Sequence, residues 1–159
     1  MIRLGKLTDY GLVLMTHMAG QSQTLHTVRD LAIQCQLPLP TVSKLLKILL
    51  RNGLLASYRG TKGGYSLARD PHLISVAEII SALEGPLALT DCSSEVAGRC
   101  DLESSCRIKD NQRLINRVVR GALENVMLSD LTRPMELTTI RDNRGNLVPS
   151  IGGVSGRMQ

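Results

Sequence analysis

The sequence predicts a mainly helical fold carrying one small β-hairpin. Three observations predict it. Apolar residues recur at spacings of three and four, in blocks separated by Gly, Pro or polar breaks, which is the pattern of amphipathic helices. The chain has 26 Leu but no Phe and no Trp, so its core must be built from aliphatic side chains, as helix packing favours. One pair of short extended runs flanks a glycine-rich turn.

Leu7, Tyr10, Gly11, Leu14, Met15 and Met18 mark a first helix, with Thr8 expected as its N-cap and Asp9 in its first turn. After the polar break Gly20–Thr24, Thr27 is placed to cap a second helix, with Asp30 three residues on. Val28, Leu31, Ala32 and Cys35 form its inner face, so Cys35 reads as a small core residue. Leu37-Pro38-Leu39-Pro40 ends that helix and opens a third, from about Pro40 to Asn52, which Gly53 can stop. Val42, Leu45, Leu46 and Leu49 point inward, leaving Thr41, Ser43, Lys44, Lys47 and Arg51 outside. Two helices joined by a tight turn, the second presenting hydroxyls and lysines, suit a helix-turn-helix.

The runs Leu54–Arg59 and Tyr65–Arg69 enclose Gly60-Thr61-Lys62-Gly63-Gly64 and predict a hairpin with a basic tip. Directly after a helix-turn-helix, such a hairpin is a wing. Thr41, Ser43, Lys44 and Lys47 can meet base edges or flanking phosphates in the major groove. Arg59 is placed for a minor groove and Lys62 for phosphate. Alone, the hairpin is an ordinary solvated turn; its position gives it a role.

Ser75-Val76-Ala77-Glu78 is a capping box that opens a fourth helix, with Val76, Ile79, Ile80 and Leu83 inward and Gly85-Pro86 as the stop. A polar loop then holds three of the four cysteines, Cys92, Cys100 and Cys106. A long helix is expected from about 107 to 127, with Ile108, Ile115, Val118, Val119, Ala122 and Val126 as its apolar stripe. About twenty residues span roughly 30 Å. That exceeds what a small head covers, so the stripe is read as a dimerisation seam, packing within one subunit being the alternative. Beyond Pro134 no period survives. The expected organisation is a winged helix-turn-helix over 1–72, a cysteine-loop and dimerisation region over 73–132, and a disordered tail over 133–159.

The net charge of +5 fits a polyanionic partner, here double-stranded DNA. The run Tyr10–Ala19 is too short and too polar for a membrane span, and it is not followed by a small-residue cleavage site. A cytoplasmic location is expected, where thiols stay reduced and clustered cysteines point to metal or redox chemistry. There is no phosphate-binding loop, no Ser/His/Asp arrangement and no paired carboxylates suited to a catalytic pocket, so neither an enzyme nor a small-molecule substrate is expected.

With these pieces in order, the chain resembles the bacterial winged-helix regulators that sense iron–sulfur clusters, typified by IscR and NsrR. The matching residues are Leu7-Thr8-Asp9-Tyr10, Asn52-Gly53-Leu54, Arg59-Gly60-Thr61-Lys62-Gly63-Gly64-Tyr65, Val76-Ala77-Glu78-Ile79-Ile80 and the three cysteines. Leu37–Lys47 and Glu84–Cys92 look most like the branch that regulates Suf-type cluster-assembly genes. The resemblance implies a homodimer on a pseudo-palindromic operator and repression of those genes. It also implies an iron–sulfur cluster on Cys92, Cys100 and Cys106, with 2Fe-2S favoured over 4Fe-4S. Thiolate suits such a cluster, and Cys106 is expected at a helix start, where the dipole favours an anionic group.

Two departures stand out. The gap from Cys92 to Cys100 is longer than usual, and Lys109 occupies the position where the IscR-like pattern has a His. The NsrR-like pattern instead draws a ligand from an Asp in the partner's first helix, and Asp9 is at the matching position. Without the family, Asp9 is simply an acid at a helix start. The rival readings are a structural zinc site, which the absence of a Cys-x-x-Cys pair disfavours, and a metal-free thiol redox switch.

Overall fold

The computed structural model describes residues 3–93, 100–102, 104–135, 137–141 and 147–151. Among the described residues five helices and two hairpins follow one another: α1 (Lys6–Gly20), α2 (Val28–Gln34), α3 (Leu39–Arg51), β1 (Leu55–Tyr58), β2 (Gly64–Leu67), α4 (Val76–Glu84), α5 (Lys109–Glu124), β3 (Leu137–Arg141) and β4 (Leu147–Ile151). This is a helical winged helix-turn-helix with a long helix appended, as expected. Short 3-10 turns lie at Pro71–Leu73, Asp91–Ser93 and Leu128–Thr132.

The core is aliphatic. Leu14, Met15 and Met18 of α1 meet Leu31 of α2, Val42, Leu45, Leu46 and Leu49 of α3, and Ile79 of α4. Ile74 before α4 and Leu128 after α5 complete the same cluster, so one core runs across residue 72 and takes in the chain on both sides of the cysteine loop. A smaller cluster joins Val76 and Ile80 of α4 to Val126.

Local signals set most boundaries. Thr27 Oγ1 accepts from Asp30 N–H and donates to the Asp30 carboxylate. Ser75 and Glu78 form a complete capping box, and Arg69 braces it through a 2.7 Å ion pair to Glu78. Burial opposes ionisation of Glu78, but Ser75 N–H and Arg69 outweigh it and hold the carboxyl below its ordinary range. Gly53, at φ +71°, supplies the left-handed residue that ends α3.

The structure corrects four expectations. Thr8 is not the cap of α1: the helix starts at Lys6, and Thr8 is fully buried within it. The cause is tertiary, because Glu84 at the end of α4 accepts Gly5 N–H and organises the chain a turn earlier. The fifth helix is Lys109–Glu124 rather than 107–127, about 24 Å long, and Cys106 lies ahead of it in the loop. Val126 belongs to the subunit's interior, where its carbonyl accepts Val76 N–H at 2.8 Å, and not to the exposed stripe. Within the expected tail, β3 pairs with β4 from Leu137↔Ile151 to Arg141↔Leu147. Both strands contain β-branched residues, Thr138, Thr139 and Ile140 in one and Val148 and Ile151 in the other, a strand preference that a search for helical spacing passes over. The loop-like residues 142–146 and 152–159 lie outside the described residues.

Candidate nucleic-acid interface and cysteine loop

The α2–α3 turn is tight because Gln36 adopts φ +54° and Leu37 N–H bonds back to the Ala32 carbonyl at 3.0 Å. Burying Val42, Leu45, Leu46 and Leu49 fixes the rotation of α3. Lys44, Lys47 and Arg51 are therefore exposed as one stripe, with Thr41 and Ser43 half-buried beside it. Leu39, in the first turn, is also exposed; sequence reasoning counted it as part of a boundary rather than of a surface.

The wing follows in register Leu55↔Leu67 to Tyr58↔Gly64. Its turn needs Gly63, where a Cβ would collide with the Tyr58 carbonyl. Arg59 and Lys62 are exposed at its base and tip. Among the described residues none of Lys44, Lys47, Arg51, Arg59 and Lys62 is paired with a carboxylate, which leaves these charges available to phosphate.

The wing is tied to the helical head at a point the sequence did not reveal. His26 N–H donates to the Tyr65 carbonyl at 2.9 Å, and Tyr65 N–H returns to the His26 carbonyl at 2.8 Å, adding a one-residue third strand. The His26 ring is buried edge-on to His17 at 5.8 Å, and Gln34 Oε1 accepts from His17 Nε2 at 2.8 Å. Burial holds His26 below its ordinary value, with His17 adding to the effect.

All four cysteines are free. Cys35 is half-buried at the end of α2, and burial pushes its thiol up, as befits a packing residue. Cys92 is buried, while Cys100 and Cys106 are half-buried. Thr90 Oγ1 lies 3.3 Å from Cys92 Sγ and 3.0 Å from Ser93 Oγ, so its single proton serves one of them at a time. Among the described residues no three His, Cys, Asp or Glu side chains are grouped as metal ligands would be. The cysteines expected to share a cluster are thus not brought together, and loop residues 94–99 and 103 lie outside the described residues. Asp9 is exposed in the first turn of α1. In its donor chemistry the set still suits an iron–sulfur cluster: three unpaired thiols on one loop, one already facing a hydroxyl donor.

The arm leading into the loop lies on α5. Asn116 Oδ1 accepts from Leu89 N–H at 3.0 Å, Asn116 Nδ2 donates to the Leu87 carbonyl at 3.2 Å, and Arg113 Nε donates to the Cys92 carbonyl at 3.1 Å. No motif singled out these two residues, since polar groups on a basic helix look like solvated surface until the arm is seen. Four of the half-buried residues of α5, Lys109, Gln112, Asn116 and Leu123, share this inner side. Ile108 before the helix, and Leu114, Ile115, Val118 and Val119 on it, are large apolar side chains left exposed.

Comparisons with known proteins agree with this architecture. Residues 4–134 match the Rrf2 family model, described as an iron-dependent transcriptional regulator. The chain is 29% identical over 146 residues to the HTH-type transcriptional regulator IscR of Cronobacter sakazakii, covering 91% of this chain and 89% of that protein. It is also 29% identical over 109 residues to the regulator NsrR of Shouchella clausii, covering 68% and 73%. Among solved structures, CymR, the global cysteine regulator of B. subtilis, superposes with a TM-score of 0.65 at 27% identity, covering 83% of this chain and 97% of that one. Winged head, exposed basic stripe, appended helix and a family match over most of the chain converge: the chain belongs to the Rrf2 family of DNA-binding transcriptional regulators and is not an enzyme.

Proposed function

We propose that this protein is a cytoplasmic, homodimeric repressor of Suf-type cluster-assembly genes that senses an iron–sulfur cluster. The observation that carries the reading is the loop itself: three free thiols between α4 and α5, directly preceding a helix with an exposed apolar side. Cys92, Cys100 and Cys106 would hold the cluster, with the partner subunit's Asp9 as fourth ligand, and 2Fe-2S is the expected form. When bound, the cluster supplies a group sensitive to iron supply and oxidation. The chain's own residues do the rest. Thr90 offers a hydrogen bond to the Cys92 sulfur, the apolar side of α5 joins two subunits, and α3 and the wing address the two halves of a pseudo-palindromic operator. There Thr41, Ser43, Lys44 and Lys47 face the major groove, Arg59 the minor groove and Lys62 phosphate.

The test is anaerobic purification followed by a visible spectrum, iron and sulfide analysis, and operator titrations of holo and apo protein. Cys92→Ala, Cys100→Ala and Cys106→Ala should each lose the absorbance, Cys35→Ala should keep it, and Asp9→Ala should make the cluster labile without unfolding the dimer. A colourless protein containing zinc would replace this reading with a structural metal site. A second reading, a metal-free thiol switch, draws support from the ungrouped cysteines. Metal-free protein whose operator affinity changes on oxidation alone would establish it.

A further inference from the structure

We propose that Asn116, assisted by Arg113, is the positioning residue through which the cysteine loop sets the orientation of α5. The inference rests on the cluster-sensing reading above and gives it a route to the dimer. The carboxamide of Asn116 uses both ends on the backbone of the arm, accepting from Leu89 N–H and donating to the Leu87 carbonyl. It thereby takes the place of a strand partner for a segment that has none among the described residues. Arg113 reaches the Cys92 carbonyl from one turn earlier on the same side of the helix, a separation of about 4.5 Å along the axis.

Three hydrogen bonds thus fasten residues 87, 89 and 92 to a rigid rod, and the last of them is on the peptide of a cysteine. The two gripping residues alternate in sequence with the exposed apolar ones: Arg113, then Leu114 and Ile115, then Asn116, then Val118 and Val119. A helix turns as a unit, so any displacement of the arm that drags Asn116 and Arg113 also swings the apolar side and whatever it contacts. At its far end α5 is anchored separately, by Leu123 and the following Val126 against Val76 and Ile80. The helix therefore has a fixed end next to α4 and a steerable end next to the loop. Asparagine fits the task because it offers one donor and one acceptor on a single plane; aspartate lacks the donor and leucine lacks both.

The experiment uses the full-length protein as wild type, Asn116→Ala and Asn116→Asp. Hydrogen exchange of the Leu89 amide is measured in cluster-free protein, and operator affinity is measured with and without reconstituted cluster. In Asn116→Ala the Leu89 amide should exchange roughly ten-fold faster, as expected for losing one partly buried hydrogen bond. Asn116→Asp should keep that protection while losing the grip on Leu87, and serves as the comparison if the alanine variant is not dimeric. In both variants the ratio of holo to apo operator affinity should fall towards one. If Asn116 were only structural, both affinities would drop by the same factor and the ratio would stay at its wild-type value; that result overturns the proposal. If wild type takes up neither iron nor sulfide, the cluster reading fails, and the clamp is then judged on exchange: acceleration at Leu89 in the alanine variant supports it, and unchanged exchange overturns it.

Discussion

Val118 offers a direct test of the seam on α5. It exposes 65% of its surface, the largest fraction among the large apolar side chains on that helix. Complete burial of a Val, Leu or Ile side chain is worth about 1.5–3 kcal/mol. Covering the exposed two-thirds of Val118 on association is therefore worth roughly 1–2 kcal/mol per subunit, and twofold symmetry doubles this to about 2–4 kcal/mol per dimer. Val118→Ala removes part of this area and nothing else. Val118→Asp removes all of it and places two carboxylates in the interface without partners, a further cost. A loss of about 2–4 kcal/mol raises the dimer dissociation constant roughly 30- to 1000-fold. Sedimentation velocity across a concentration series, with far-UV circular dichroism to check that α5 persists, measures it directly. If Val118→Asp self-associates as tightly as wild type, the apolar side of α5 is not the dimer seam, and the swing attributed to it has nothing to act on.

Two further outcomes follow from the head. Lys62→Ala should weaken operator and random DNA about equally and lower the salt slope by roughly one unit, whereas changes at Ser43 or Lys44 should cost about 1–3 kcal/mol on the operator alone for each base edge no longer read; titrations on both DNAs at two salt concentrations separate the effects. The second concerns pH. Burial lowers His26 from its ordinary value of 6.5, so the unfolded chain takes up the proton first. The stability this contributes is present above 6.5 and is lost as pH falls through the lower folded value. Thermal midpoints of wild type should drop over that interval, and His26→Asn should flatten the profile; an equally steep profile in the variant would refute the assignment.

What the sequence disclosed was what neighbouring residues decide among themselves. Thr27 with Asp30, Ser75 with Glu78, Gly53 after a helix and the glycines of the wing each act within a few residues, and each is found where it was expected. The rotation of α3, and with it the exposure of Lys44 and Lys47, followed from four leucine and valine positions. The β3–β4 hairpin was missed for want of helical spacing, and other misreadings arose where a distant residue decides. Thr8 lost its capping role because Glu84, on another helix, takes the Gly5 amide. The His26–Tyr65 pairing and the Asn116 grip join residues 39 and 27 positions apart, with no pattern linking them in either segment. For the cysteines, composition identified a chemical inventory, while loop spacing alone carries no information on how the thiols converge.

The hydrogen bonds from Val76 N–H to the Val126 carbonyl and from Leu128 N–H to the Ile74 carbonyl, both 2.8 Å, have an evolutionary consequence. They set Ile74–Val76 and Val126–Leu128 side by side, while α4 is held in the head by Ile79 in the core and Glu84 on the Gly5 amide, so the loop between α4 and α5 is a cassette inside a closed circuit. Lengthening a flexible loop inside a closed circuit costs only about 0.6 kcal/mol for each doubling. Residues can therefore be added between Cys92 and Cys100 at small cost to the fold of the DNA-facing head. A lineage can vary the cassette while the half that addresses DNA continues to fold around the same leucines.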